Sequence, residues 1–320
     1  MEKFLLGVDI GGTTVKIGVI TYNGDIVDKW EIPTSKGAEA EKIPHDIWRS
    51  IETKLEELNI DLSNVLGIGA GAPGFVDTAT GEVSIAVNLG WENFKLAEIL
   101  HELSGLSVYV DNDANIAAVG ENWKGSGNLA DNFIAVTLGT GVGGGIIANG
   151  QVVNGTNGTA GEIGHIMVEP GGAPCNCGRN GCLETIASAT GIARLANEAV
   201  AEGKDTLLKE QLQQKGTITA KDVFDLAAKD DYVARSIIDD VTNVLGLALA
   251  NIATVINPSK IILGGGVSKA GEQLLQPLQK AFTNYALPRI DEGCEFAIAT
   301  LGNDAGIFGG AYLVKEGYES

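Results

Sequence analysis

The chain has 320 residues, of which 44% are hydrophobic, 20% are charged and 6% are aromatic. This composition supports a sizeable core and argues against disorder, and the length fits one large or two ordinary domains. Asp and Glu number 41 against 22 Lys and Arg, a net charge of −19, so we expect neither nucleic acid nor an acidic membrane as a partner. The 44 glycines predict tight turns and close approaches of backbone to a ligand.

The chain shows no targeting pattern. The apolar run in the opening MEKFLLGVDIGG is too short for a signal peptide. The longest apolar segment, 244–256, is shorter than the roughly 18 residues of a membrane span and is broken by Asn251. We therefore expect a cytoplasmic protein, in which the glycosylation sequons at Asn154 and Asn157 have no role.

The first part of the chain predicts an α/β unit. Apolar runs at 4–9 and 15–20 flank Gly11 and Gly12, which indicates a β-hairpin. Apolar residues then recur at helical spacing from Ile43 to Leu58. The remaining pattern predicts strands at 26–32, 65–70 and 106–110 and helices at 94–103 and 114–123.

A second unit of the same kind follows a polar, glycine-containing stretch at 124–132. The sequence VDIGGTTVKIGV from Val8 aligns with VTLGTGVGGGII from Val136, 128 residues later. This repeat suggests two similar α/β domains, although any two glycine hairpins would look alike. Asn149-Gly150 predicts a further hairpin turn. Downstream we expect strands at 260–263 and 295–300 and helices at 183–201, 219–228, 232–256, 269–286 and 304–315.

The glycine-rich turns are candidate phosphate sites. Gly139-x-Gly141-x-x-Gly144 matches the GxGxxG fingerprint, but that fingerprint requires a following helix, and here a strand follows. GxxxxGK[ST] is absent, which excludes a P-loop. Backbone N–H groups and Thr hydroxyls of two hairpins could instead bind phosphate oxygens. The two arms would be Gly11, Gly12, Thr13 and Thr14, and Gly139, Thr140 and Gly141.

Three further features extend this candidate nucleotide site. Asp9, at the end of the first strand, could hold Mg²⁺ through water. Lys16 is a candidate cation near phosphate, with a solvated strand lysine as the alternative. Gly264, Gly265 and Gly266 would let the backbone approach a flat group such as adenine, or would simply form a tight turn.

His165, Cys175, Cys177 and Cys182 have the spacing of a metal site. One imidazole and three thiolates favour zinc, and four protein ligands leave no open position, so the metal would be structural. Its loop, 170–181, is rich in Gly and Pro and would gain order from a metal. Unliganded buried thiols are the alternative.

Polar residues gather at two places outside these motifs. VYVDNDAN, from Val108, puts Asn112 and Asp113 at a strand end before a helix, which fits helix capping or a binding site. Glu162 and His165 lie in a glycine-rich loop, and Glu184 follows the cysteines. Carboxylates and amides grouped in this way suit a ligand rich in hydroxyl groups.

The motifs DIGGTTVKIG, GAPG, VNLGW, DNDANIAA, LGTGVGGG, GEIGH, CNCGRNGCLE and LGGGVS occur in the order of the ROK family of sugar kinases. The chain resembles this family from about Val8 to its final helix. The cysteine loop CxCGxxGCxE joined to GEIGH is the most specific element of the match. The motif order and the stretch ETIASATG most resemble the bacterial ATP-dependent glucokinases of the family.

The resemblance implies an actin-like, ribonuclease-H-like α/β fold of two domains around a closing cleft. The domains would be 1–123, with the helix 304–320 packed back on it, and 124–303, which contains the zinc loop 165–182. The implied partners are ATP, Mg²⁺, a structural Zn²⁺, a sugar and, as a homodimer, a second copy of the chain.

The resemblance also implies the reaction, phosphorylation of glucose at its 6-hydroxyl to give glucose 6-phosphate. Asp113 would be the general base. The other sugar contacts would be Gly71, Asn88, Asn112, Glu162, His165 and Glu184. Other hexoses or N-acetylhexosamines (fructose, N-acetylmannosamine, N-acetylglucosamine) remain alternatives, as does a sugar-responsive regulator; a zinc hydrolase is disfavoured by the closed ligand set.

Overall fold

The computed structural model describes residues 2–319, apart from the side chain of Ala38. Met1 and Ser320, which the predicted domains include, lie outside the described residues. The strands are β1 Phe4–Ile10, β2 Thr14–Thr21, β3 Ile26–Pro33, β4 Val65–Ala72, β5 Phe75–Asp77, β6 Glu82–Ala86, β7 Trp91–Phe94, β8 Val108–Asn112, β9 Phe133–Leu138, β10 Val142–Ala148, β11 Gln151–Val152, β12 Lys260–Gly264 and β13 Glu295–Ile298.

The helices alternate with these strands in the first part of the chain and dominate the second. They are α1 Ile43–Glu57, α2 Leu96–Ser104, α3 Asp113–Lys124, α4 Glu184–Ala187, α5 Ala189–Ala201, α6 Leu208–Lys215, α7 Ala220–Ala227, α8 Tyr232–Ile256, α9 Glu272–Tyr285, α10 Pro288–Gly293 and α11 Ala305–Glu319.

Two five-stranded sheets share one topology. The first has the order β3-β2-β1-β4-β8 and the second β11-β10-β9-β12-β13. In each sheet the first three strands are antiparallel and the last three are parallel. The aligned segments at Val8 and Val136 occupy the central hairpin of each sheet, β1–β2 and β9–β10. We call the first sheet with α1, α2, α3 and α11 the first lobe, and the second sheet with α4–α10 the second lobe.

Each lobe has its own apolar core. In the first lobe, α1 buries one face against the sheet through Ile43, Ile47, Ile51 and Leu55, which recur at helical spacing. In the second lobe, α5, α7, α8 and α9 cover the sheet. By length and composition alone, α8 could cross a membrane, but 56% of its most apolar window is buried in the protein, as in a core helix.

Helices α3 and α11 pack against each other between the two sheets. Glycines bring α11 onto the first sheet: a Cβ on Gly69 of β4 would lie 1.8 Å from the carbonyl oxygen of Gly310, and one on Gly7 of β1 would lie 1.8 Å from that of Ile307. The C-terminal helix therefore returns to the first sheet. Helix α3 contacts β4 and β8 on one side and β9 and β10 on the other.

The predicted strands and most predicted helices are present, with a few differences. The helix predicted at 183–201 is divided at Ser188, which is extended and caps α5 by accepting the N–H of Gly191 at 3.0 Å. The helix predicted from 269 begins at Glu272, after a 3₁₀ turn. A small antiparallel sheet, β5-β6-β7, and the short helices α6 and α10 were not predicted, because short polar elements carry little periodic signal.

Candidate active site

The polar cluster at the end of β8 contains a capping residue, Asn112, and a carboxylate that the cap does not require, Asp113. Asn112 is the N-cap of α3: its Oδ1 accepts the N–H of Ala114 at 2.8 Å and that of Asn115 at 3.3 Å. Its Nδ2 donates to the carbonyl of Gly74 at 2.8 Å. The predicted cap is therefore Asn112, and Asp113 is not needed for that role, although its Oδ1 also accepts the N–H of Ala114 at 2.9 Å.

Asp113 is the most perturbed carboxylic acid in this part of the molecule. Burial, together with the negative charges of Asp9 and Glu162, raises its pKa from 3.8 to about 6. Asp9 comes from the end of β1, Asp113 from the start of α3, and Glu162 from the loop before a 3₁₀ turn, so three separate segments converge here. A carboxyl group that titrates near neutral pH in such a place suits proton transfer.

Lys16 pairs with Asp9. The two residues face each other across the β1–β2 hairpin, and Lys16 Nζ lies 3.3 Å from Asp9 Oδ2. Burial raises the pKa of Asp9, and the ammonium of Lys16 opposes that rise. The lysine is thus part of a partly buried ion pair and is not the solvated strand lysine considered above.

The two glycine turns leave open space beside the backbone. A Cβ on Gly12 or on Gly139 would meet no heavy atom within 4 Å. The later glycines of LGTGVGGG serve packing instead: a Cβ on Gly145 would lie 2.4 Å from the Cβ of Ala118 in α3. One on Gly141 would lie 2.1 Å from Glu184 Oε2. The motif therefore combines an open turn with a strand on which α3 packs closely.

The second turn is fixed to α5 and borders a cavity. Ala189 N donates to the carbonyl of Gly139 at 2.8 Å, and Thr190 Oγ1 donates to that of Thr140 at 2.7 Å. Beside them lies a cavity of about 420 Å³, bounded on one side by the glycine turn after β12, with a wall made of Ala189, Ala220, Phe224, Gly266, Val267 and Ala270. Gly265 has a φ of +84°, and a Cβ there would lie 2.4 Å from the carbonyl oxygen of Leu138, so Gly264–Gly266 is held against the end of β9.

The four predicted metal ligands come together. The ligand atoms of His165, Cys175, Cys177 and Cys182 all lie within 4.8 Å of one another. Cys177 Sγ and Cys182 Sγ are 3.6 Å apart, and Cys175 Sγ is 3.6 Å from His165 Nδ1. Ligands about 2.3 Å from a tetrahedral zinc are about 3.8 Å apart, so these spacings and this donor set fit zinc.

His165 connects the cysteine cluster with the carboxylates. Its Nδ1 faces the thiols, while its Nε2 lies 3.8 Å from Glu162 Oε2. Glu184 lies on the thiol side: its Oε1 is 3.6 Å from Cys175 Sγ, and its Oε2 accepts the N–H of Val142 at 3.1 Å. Glu162 and His165 thus lie towards Asp113, and Glu184 is held between the cluster and β10.

Gly71 and Asn88 differ in their relation to Asp113. Gly71 lies at the end of β4, and a Cβ there would be 3.4 Å from the Cα of Asp113 and 2.0 Å from Ile116 Cδ1. Its backbone therefore lies directly beside the start of α3. Asn88 is exposed in the turn between β6 and β7 and makes no hydrogen bond to the other predicted sugar contacts within residues 2–319.

A buried amide network beside Asp113 was not predicted. Asn115 Nδ2 donates to Asp111 Oδ1 at 2.9 Å and to Asn154 Oδ1 at 2.8 Å. Burial raises the pKa of Asp111, and the hydrogen bond from Asn115 opposes the rise. The network ties the start of α3 to the loop after β11. The local signal was a pair of polar residues four positions apart, Asp111 near the end of β8 and Asn115 in the first turn of α3.

Comparison with known proteins agrees with this arrangement. The ROK family model matches residues 5–317. The chain is 54% identical over 316 residues to a protein named glucokinase from Halalkalibacterium halodurans, which covers 98% of this chain and 96% of that protein. It is 30% identical to the xylose repressor of Caldicellulosiruptor bescii, covering 86% of this chain and 69% of the repressor.

A solved structure adds a ligand-bound relative. The ROK family glucokinase of Streptomyces griseus, in complex with glucose and AMPPNP, is 36% identical, with a TM-score of 0.74 over 98% of this chain and 99% of that one. The family model spans nearly the whole chain, and the two glucokinase relatives match it over almost their full length. The chain therefore belongs to the ROK family.

Proposed function

We propose that this protein transfers the γ-phosphoryl group of ATP to the 6-hydroxyl of glucose, giving glucose 6-phosphate. The observation that carries the proposal is Asp113, a partly buried carboxylate whose pKa is raised to about 6, at the junction of the two lobes. The name of the relative at 54% identity and the ligands bound in the Streptomyces griseus enzyme support the same reaction.

Asp113 would accept the proton of the 6-hydroxyl as that oxygen attacks the γ-phosphorus of ATP. A sugar hydroxyl is a weak nucleophile, and a positioned base commonly contributes roughly 10²–10⁴-fold to the rate. The bond between the γ-phosphorus and the bridging oxygen of ADP breaks as the new bond to the sugar oxygen forms. Phosphoryl transfer depends mainly on positioning and charge stabilisation, which the facing turns would supply.

The sugar would lie between Asp113 and the Glu162–His165 loop. His165 is proposed to use Nδ1 for the metal and Nε2 for a sugar hydroxyl, which agrees with the direction of each nitrogen. Asn112 and the backbone near Gly71 would also contact the sugar, since both lie beside Asp113 at the start of α3. Asn88 and Glu184 are also proposed to contact the sugar. Closure of the lobes would have to move these two side chains to the sugar.

ATP would lie along the two glycine turns, with its phosphates at Gly11–Thr13 and Gly139–Gly141. The adenine would occupy the cavity beside Gly266, the last residue of the Gly264–Gly266 turn, where Ala189, Phe224 and Val267 offer an apolar surface to a flat base. Asp9 is the carboxylate that would hold Mg²⁺ through water, and Mg²⁺ would supply positive charge beside the transferring phosphate. Lys16, already paired with Asp9, would keep that carboxylate in place.

The cysteine cluster would hold a structural Zn²⁺ through His165, Cys175, Cys177 and Cys182. The metal would order the loop between Ile166 and Cys182, where isolated bridges and turns replace regular structure. Because His165 is both a proposed ligand and a proposed sugar contact, zinc would also fix the orientation of that ring. No step of the reaction takes place at the metal.

The proposed domains, 1–123 with 304–320 and 124–303, would close on the sugar and shield ATP from water. The decisive experiment is ADP release measured with a panel of sugars: glucose, fructose, mannose, N-acetylmannosamine and N-acetylglucosamine. The proposal requires glucose to give the highest kcat/KM. A higher value with an N-acetylhexosamine would assign the chain to another sugar kinase activity.

The similarity to a sugar repressor makes regulation the second candidate. The net charge of −19 opposes binding to DNA. If the protein bound a DNA duplex and showed no ATP turnover, the regulatory function would be favoured over the kinase function. We also propose that the protein is cytoplasmic and forms a homodimer. Light scattering on the purified chain tests the dimer.

A further inference from the structure

The chain passes from one lobe to the other in two segments, and one buried carboxylate accepts hydrogen bonds from both of them. Glu121, in the last turn of α3, is 4% exposed. Its Oε2 accepts the N–H groups of Ser126 and Thr300, each at 3.2 Å, and its Oε1 accepts that of Leu301 at 2.7 Å. Ser126 lies between α3 and β9, and Thr300 and Leu301 lie between β13 and α11. These are the two places where the chain passes from one lobe to the other.

The two connections also bind each other. Ser126 Oγ donates to Thr300 Oγ1 at 3.3 Å and to the carbonyl of Ile298, the last residue of β13, at 2.8 Å. Lys260 Nζ, from β12, donates to the carbonyl of Ser126 at 3.1 Å. Any rotation of one lobe against the other must change backbone angles in these two segments. The Glu121 carboxylate lies where they meet, so it is placed at the pivot of such a rotation.

The first connection is shaped around Glu121. A Cβ on Gly125 would lie 2.0 Å from Glu121 Oε2, so this position excludes a side chain. Asn128 and Leu129 have φ values of +56° and +55°, a conformation that favours glycine and that the surrounding contacts must hold in place. A cavity of about 420 Å³ lies between α3, β9 and β12, and its lining includes Glu121, Gly302 and the Gly264–Gly266 turn, so the connections border the space beside that turn.

The helix that carries Glu121 also carries the proposed base. Asp113 is the first residue of α3, and Glu121 follows eight residues later, about 12 Å along the helix axis. Helix α3 packs closely on β10 through Gly145, so it contacts both lobes along its length. A change at the pivot is therefore transmitted to the Asp113 end by one continuous helix.

We propose that Glu121 is a positioning residue that holds the two connections as one hinge and thereby sets how readily the lobes close on the sugar. The inference rests on the proposed kinase function. An amide at this position would accept through one oxygen only, and its NH₂ group would face backbone N–H donors. The connections would loosen and the unliganded protein would sample more open arrangements. The apparent affinity for glucose would then fall by the factor by which the closed population falls.

The test is Glu121→Gln, assayed for glucose-dependent turnover and for compaction by small-angle X-ray scattering. We expect the glucose KM to rise about fivefold to tenfold, because one of three charge-assisted hydrogen bonds is replaced by a repulsive contact. Turnover at saturating glucose should stay within about twofold, because Asp113 is unchanged once the lobes have closed. The glucose concentration that gives half-maximal compaction should rise by the same factor as KM.

Asp231→Asn is the matched control. Asp231 is 7% exposed and also accepts backbone N–H groups from two segments, that of Leu207 at 2.7 Å and that of Ala234 at 2.8 Å, but both lie in the second lobe. This variant should lose thermal stability and keep the glucose KM and the compaction curve of the parent. If Glu121→Gln behaves in the same way, with KM within about twofold of the parent, Glu121 is only structural and the proposal is wrong.

A milder variant keeps the test decisive if Glu121→Gln does not fold. Ser126→Ala removes the hydroxyl that joins the two connections and leaves the carboxylate in place. It should raise KM and shift the compaction curve in the same direction by a smaller factor, and unchanged values would overturn the proposal. A parent chain without glucose-dependent turnover would overturn the kinase function and this inference together. An active parent with an unaffected hinge variant overturns the inference alone.

Discussion

Replacing Asp113 with Asn should make the protein inactive and more stable at the same time. Burial and two neighbouring carboxylates raise the pKa of Asp113 from 3.8 to about 6. That difference of about two pKa units corresponds to about 3 kcal/mol between the protonated and ionised forms. The folded protein thus disfavours the ionised form that a general base needs, which is a common property of active-site groups.

The sign of the stability effect follows from linkage. A carboxyl group whose pKa is raised by folding destabilises the folded state at every pH at which it is ionised there. For Asp113 this destabilisation is complete above about pH 6 and absent below about pH 4. The neutral amide that replaces the carboxylate carries no charge, so its burial would not have this cost in folding free energy. Its oxygen could still accept the N–H of Ala114. Asp113→Asn should therefore raise the free energy of unfolding at pH 8 by up to about 3 kcal/mol, and the gain should vanish by about pH 4.

The assay is urea unfolding of both proteins between about pH 4 and pH 8, together with kcat at saturating glucose and ATP. We expect kcat to fall by about 10²–10⁴-fold. Asp222→Asn is a control of opposite sign. Burial alone would raise the pKa of Asp222, but bonds to Lys215 and Thr219 outweigh burial and lower it to about 2. This control should be less stable than the parent by the same amount throughout pH 4 to pH 8, because the contribution of the Asp222 carboxylate is lost only as the pH falls from about 4 to about 2.

Two results would refute the reasoning on Asp113. A variant that is less stable than the parent at pH 8 would mean that the ionised carboxylate is not disfavoured by its surroundings. A variant that retains more than about a tenth of the parent kcat would show that Asp113 is not the general base.

Three further expectations concern pH, zinc and packing. In the parent, kcat/KM should fall about tenfold per pH unit below pH 6, as the Asp113 carboxylate is protonated, and a flat profile to pH 5 would contradict this. Elemental analysis should find about one zinc per chain, and chelation should lower Tm and sugar affinity together; a metal-free, fully active preparation would exclude the structural role. Gly69→Ala should destabilise the protein by about 2 kcal/mol or more in urea unfolding, because the added Cβ would overlap the Gly310 carbonyl. Gly293→Ala should be neutral, because its Cβ would have no heavy atom within 4 Å.

Features encoded over a short stretch of sequence could be predicted. The apolar spacing of α1, the hairpin turn at Asn149-Gly150 and the strand order around the glycine turns depend on neighbouring residues. The cysteine cluster could also be predicted, because three of its four ligands lie within eight residues. The roles of Asn112 and Asp113 could not be separated from sequence, because either residue can cap a helix. The structure separates them, since Asn112 accepts the N–H groups of both Ala114 and Asn115.

Features that depend on distant contacts were not predictable. Asn154 looks like an ordinary loop residue until the fold places it against Asn115. Glu121 looks like a solvated helix residue until two connections, more than 170 residues apart, meet at its carboxylate. The direction of Glu184 depends on β10, which lies about 40 residues earlier in the chain. In each case the sequence shows the chemical type of the side chain but does not show which distant residue it contacts in the fold.

The matching strand order of the two sheets allows a position-by-position comparison of their central hairpins. Gly11 and Gly139 correspond, but Asp9 and Lys16 of the first copy correspond to Thr137 and Gly144 of the second. The charged pair is therefore present in the first hairpin only, and in the second a Cβ on Gly144 would lie 2.6 Å from the carbonyl oxygen of Gly161. The two hairpins thus share a backbone plan but differ in charge, so the paired carboxylate and ammonium lie beside the first glycine turn only.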